Sequence, residues 1–136
     1  MRRLSLAFLA CVLTPLAFAC DLFDYQHQQV SRRVHLFQGP EGTTGIVIGN
    51  IVAVVGDDAI LLVDAGQFHV GTLRALDRLR KLSSKPLKYL VNTHWHGDHL
   101  LGNSAVKERF PGVEIMAHSH TIAEGANRYK DYVAKQ

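Results

Sequence analysis

Residues 87–99 read LKYLVNTHWHGDH, and the fold is decided on this stretch. Leu87 to Asn92 is a short, mostly apolar run of the kind a buried strand carries. Thr93 to His99 is a loop dense in side chains that bind metals. His94, His96, Asp98 and His99 put four such groups into six positions. His94 and His96 stand two apart, so an extended backbone sends both imidazoles to one side. Gly97 allows a sharp turn, after which Asp98 and His99 face a second point nearby. Imidazole nitrogen and carboxylate oxygen are ligands that Zn²⁺ accepts. Two such ions about 3.5–4 Å apart clamp a bridging water and bring its pKa to about 7. One loop histidine would read as a surface residue; three with an aspartate, directly after a buried strand, read as a metal site.

The pattern on either side alternates between strand and helix. Upstream, Val70, Leu73, Leu76, Leu79 and Leu82 recur at helical spacing, and Ser83-Ser84-Lys85-Pro86 stops the helix. Earlier still, Val34–Gln38, Ile46–Ile48, Ile51–Val55 and Ile60–Val63 read as short strands. Gly39–Gly42, Gly49-Asn50 and Gly56–Asp58 punctuate them, and Asp64-Ala65-Gly66 closes the last. Downstream, a helix over Asn103–Phe110 takes Asn103 as its cap. Pro111-Gly112 turns the chain and Val113–Ala117 returns as a strand. Thr121 and Glu124 match a capping box for a last helix carried by Ile122, Ala126, Tyr129 and Val133. Asp21 to Arg33 is polar and gives no assignment. Strands followed by helix, strand, helix, strand and helix predict an α/β layered domain.

The N-terminus reads differently. Met1-Arg2-Arg3 is basic, Leu4 to Ala19 is almost wholly apolar, and Ala17-Phe18-Ala19 is an A-x-A cleavage site. Together they predict a secretory signal peptide over 1–19, a polar segment over 20–33 and one domain over 34–136. This sixteen-residue stretch falls short of the ~20 that span a bilayer, so no stable membrane span is expected after cleavage. Cleavage leaves Cys20 first, which also suggests a lipid anchor, although Phe18 disfavours that signal. Cys11 leaves with the leader, so the mature chain holds one Cys and no internal disulfide. The 136 residues carry a net charge of +3, and losing Arg2 and Arg3 leaves +1. The basic residues are scattered, so no nucleic-acid partner is expected.

Thr93 to His99 matches the pattern T-H-x-H-x-D-H and resembles the metallo-β-lactamase fold superfamily. Val63-Asp64-Ala65-Gly66 looks like that family's strand ending in an acid and a glycine, and Gly102-Asn103 follow the motif as they often do there. The resemblance covers about 34–136 and implies the first half of an αββα sandwich. It implies that His94 and His96 hold a first zinc, and that Asp98 and His99 hold a second. Asp98 would also orient a hydroxide or carry its proton. Asp64 resembles the acid that steadies such a site from behind; a plain turn aspartate at a strand end is the other reading. His118 and His120 are tempting as further ligands, but the family's next ligand comes much later; His118 suits a helix start or a supporting role better. Trp95 lines the pocket mouth or packs as wall, and His27, His35 and His69 read as ordinary polar residues.

The resemblance implies a zinc-dependent hydrolase in which metal-bound hydroxide attacks an amide, ester or thioester-type carbonyl of a small molecule, with a β-lactam among the candidates. An exported, periplasmic or secreted location favours such substrates over cytosolic thioesters. Family members have a second half that supplies the third His of the first zinc and the last His of the second. Residues 34–136 hold no such half, so a fragment of a longer protein is expected. The alternatives are a short exported metal-binding protein without turnover and an inert product that does not fold.

Overall fold

The computed structural model describes residues 23–40 and 47–133. The expected signal peptide, Cys11 and Cys20 lie outside the described residues.

Six strands form one sheet in sequence order: β1 (Gln26–Gln29), β2 (Val34–Gln38), β3 (Ile51–Val55), β4 (Ile60–Val63), β5 (Leu87–Asn92) and β6 (Glu114–Ala117). The first four make an antiparallel meander, whereas β5 and β6 run parallel to β4. Parallel neighbours need crossovers. Helix α1 (His69–Leu82) links β4 to β5, and α2 (Gly97–Leu100) with α3 (Asn103–Arg109) links β5 to β6. Helix α4 (Ser119–Val133) follows.

The core joins sheet and helices. Phe37, Ile51, Ala53, Ile60, Leu62 and Leu90 are buried together with Ala75, Leu76 and Leu79 of α1 and Val106 of α3. Burial alternates along β3 and β4 as a period of two requires. Tyr89, with its neighbour Val91 and with Met116 in register beside them, lies on the other face; Tyr89 and Met116 are exposed there. Helix α1 buries Ala75, Leu76 and Leu79 and carries Arg80 and Lys81 in its last turn, where cations oppose the negative end of the helix dipole. Among the described residues, no helix is long and apolar enough to cross a membrane.

The α/β alternation predicted from the sequence is present, with five local differences, the first being that Gly97–Leu100, expected as loop, is the short helix α2. Strand β1, Gln-His-Gln-Gln, lies in the unassigned polar segment; it is an exposed edge strand and carries no apolar alternation. Of the expected Ile46–Ile48 strand, Ile46 is outside the described residues, and Val47 and Ile48 are irregular. Asn103 does not cap α3: Gly102 holds that position without a side-chain bond, because the Asn103 amide is paired with Asn92. Helix α4 starts at Ser119, so Thr121 is inside it and buried rather than at its cap.

Candidate metal centre

The site forms where β4 and β5 end side by side, at the carboxyl edge of the parallel strands, the edge at which open α/β sheets bind ligands. β4 is followed by Asp64, whose N–H bonds to Val91 O at 2.8 Å. β5 ends in Asn92 and passes into Thr93 and the histidine loop. The two ends are tied by side chains. Asp64, 5% exposed, accepts from the Thr93 N–H and the Thr93 hydroxyl, both at 2.8 Å, through different carboxylate oxygens. The Oδ2 oxygen also stands 2.8 Å from Nδ1 of His99.

His99 is thereby bracketed. Its Nδ1 faces Asp64, and its Nε2 faces Oδ2 of Asp98 at 3.1 Å. An imidazole held through one nitrogen by a carboxylate has a fixed orientation, and its other nitrogen is aimed. The gap between Nε2 and the Asp98 carboxylate is one that a proton or a cation can fill. His94 lies against His99, ring centroids 4.1 Å apart, and against His96 at 4.6 Å. Its Nδ1 is 2.9 Å from the Thr93 hydroxyl. His94 and His96 thus sit in the loop after β5, and Asp98 and His99 on the short helix α2 that follows it.

The loop is fixed from below. The Ala65 N–H bonds to His99 O at 2.8 Å, and the Gly102 N–H to Gly66 O at 2.9 Å. The Asn92 amide donates to His99 O at 3.2 Å and exchanges two bonds with Asn103, at 3.1 and 2.7 Å. Gly102 has no room for a side chain: a Cβ there would collide with the Ala65 carbonyl and the Thr72 hydroxyl. Asn92, Asn103, Thr93 and Gly102 are the supporting residues that pattern reading did not single out for these roles. The one available signal was a buried strand ending in a polar residue directly before the motif.

Other residues fall away from the loop or at its rim. His118 caps the start of α4, where its Nδ1 accepts the His120 N–H at 3.2 Å. Trp95 packs edge-on against His96 at 4.3 Å and stacks beneath Arg128 of α4 at 4.2 Å. His69 pairs with Glu108 at 2.9 Å. Tyr25 is buried beneath the site; burial, and after it the charge of Asp98, push its phenol well above the ordinary tyrosine range, so the hydroxyl stays protonated.

The donor chemistry suits a metal ion, because imidazole and carboxylate groups converge in pairs. Their number falls short. Among the described residues, no three or more His, Cys, Asp or Glu side chains form a set that could hold one ion. A catalytic zinc takes three protein ligands and a water.

A family model described as the metallo-beta-lactamase superfamily matches residues 44–136, more than half of the chain. A linear primary-alkylsulfatase from a Pseudomonas species is 38% identical over 48 residues, which are 35% of this chain and 9% of that protein. Among solved structures, a metallo beta lactamase from Hirschia baltica superposes with a TM-score of 0.67 at 22% identity, covering 76% of this chain and 48% of its own. One from Pontibacter korlensis gives 0.68 at 25% identity, over 76% and 48%. One from Pseudomonas aeruginosa, in its mono-zinc form, gives 0.63 at 21% identity, over 76% and 46%. The chain therefore spans about half the length of these solved relatives.

Proposed function

The chain belongs to the metallo-beta-lactamase superfamily, and from that premise we propose that it carries the motif half of an exported zinc-dependent hydrolase site. His94 and His96 would hold one ion, and Asp98 and His99 a second. The observation that carries the reading is the bracketed His99, aimed at Asp98 by Asp64, beside His94, whose ring in turn meets His96 edge-on. The mono-zinc form of one solved relative supports zinc as the metal.

Zinc, when bound, supplies a nucleophile derived from water at neutral pH and an electrophile for the scissile carbonyl. The protein's own part is positional. Asp64 keeps the His99 ring in one orientation through Nδ1. Asp98, beside His99, is placed to hold a proton and pass it on. Trp95, packed under Arg128 and against His96, would form one wall of the approach. The substrate class is a small molecule with an amide, ester or thioester carbonyl. A second reading, a sulfate ester, is favoured by the 38% identity to the alkylsulfatase over 48 residues.

His96→Ala tests the assignment. Zinc content of the purified protein and hydrolysis of carbonyl and sulfate esters are expected to fall together. Unchanged zinc content in that variant would overturn the site.

A further inference from the structure

Residues 23–25 precede the part of the chain that the family model matches, yet they reach the floor of the metal loop. Three contacts fasten this segment to α1 and the turn before it. Phe23 meets Phe68 edge-on at 5.2 Å. Asp24 pairs with Arg78 at 2.5 Å. The Arg78 guanidinium also donates to the Tyr25 carbonyl. Tyr25, 2% exposed, then passes under Gly66, where a Cβ would collide with the phenol oxygen, and its hydroxyl donates to Gly49 O at 3.3 Å.

Gly49 is the other end of this support. Its α-carbon lies directly against Asp98: a Cβ there would collide with the Asp98 carbonyl oxygen and come within 3.3 Å of its carboxylate. The peptide that rests on Asp98 is therefore the one whose carbonyl Tyr25 holds. Gly66, on which the phenol packs, is the residue whose carbonyl accepts the Gly102 N–H. A single buried hydroxyl thus touches both glycine contacts that bound the loop.

We propose that Tyr25 is a positioning residue for Asp98, acting through Gly49 and Gly66. It touches no ligand atom itself. It holds the backbone on which Asp98 rests, and so fixes the distance between Asp98 and His99. This role belongs to the site proposed above and rests on that reading for its zinc readout alone.

The test is Tyr25→Phe in the full chain, with Gly49→Ala as a second variant that attacks the same contact from the other side. Two readouts are taken: amide hydrogen exchange without metal, and zinc affinity by calorimetry. Exchange at the Ala65, His99 and Gly102 amides is expected to quicken by about five- to tenfold, the effect of losing one hydrogen bond. Exchange along β3 to β5 is expected to stay as it was. Zinc affinity is expected to fall by about tenfold, the lower end of what is seen when a supporting contact is removed. Unchanged exchange at those three amides in both variants overturns the proposal. Uniform loosening of β3 to β5 also overturns it, since Tyr25 is then plain core. If the unsubstituted chain binds no zinc, the functional reading fails, and the exchange pattern alone decides the role of Tyr25.

Discussion

Asp64 occupies the left-handed backbone region, with φ of 58°, where a residue bearing a side chain is strained by about 1–2 kcal/mol. Aspartate and asparagine tolerate the region best, and here the strain is offset by the contacts to Thr93 and His99. Asp64→Ala loses that backbone tolerance and strands three donors, so a loss of about 2–4 kcal/mol is expected in urea denaturation. Asp64→Asn retains the backbone tolerance and one oxygen for the Thr93 N–H, and about 1–2 kcal/mol is expected. Equal losses in the two variants would mean that the carboxylate facing His99, rather than the backbone, sets the cost. The position of Asp64 at the end of an apolar strand was legible in the sequence. Its partners stand 29 and 35 positions away, and no local pattern reports them.

At the scale of elements, periodicity explains what could be read and what could not. The strands at 34–38, 51–55 and 60–63 and helix α1 bury one face each, and burial writes a period into the sequence, whereas 87–92 is readable as a short, mostly apolar run. Strand β1 buries none of its residues and has no period to read. It is held by pairing with β2 and by a contact between histidines: Nε2 of His27 lies 3.1 Å from Nδ1 of His35, with the rings stacked 5.3 Å apart. His35 is buried at 8% exposure, which an ordinary polar residue would not be. Burial first, and the neighbouring His27 second, lower the pKa of His35 from the ordinary histidine value. A folded-state pKa below the unfolded one means that the unfolded chain binds the proton more readily. The contribution of His35 is therefore present above about pH 6.5 and is lost as pH falls below it. The urea midpoint of the unsubstituted protein is expected to drop further between pH 7.5 and 5.5 than that of His35→Leu. Parallel profiles would remove His35 from the account.

For the molecule as a whole, the site draws on parts that are remote in sequence. The stretch at 93–99 was legible because four ligand side chains crowd six positions. The corner at 64–66, the amide pair Asn92–Asn103 and the phenol of Tyr25 became visible only through the fold that brings them under the loop. Such a site cannot persist in the unfolded chain, so an ion that binds it adds its binding free energy to folding. Free zinc at one hundred times its dissociation constant is expected to add about 2.7 kcal/mol to stability. Thermal unfolding followed with zinc, with zinc and excess chelator, and with magnesium checks this. Zinc should raise the midpoint, chelator should return it, and magnesium should leave it unmoved, because imidazole ligands suit zinc and a hard, oxygen-seeking ion gains little from them. Asp64→Ala should shrink the zinc-induced rise as well as lowering the starting midpoint, since His99 then loses the carboxylate that orients it. A zinc-induced rise of the same size in that variant would show that binding does not depend on the Asp64–His99 contact, and would place the ion elsewhere on the chain.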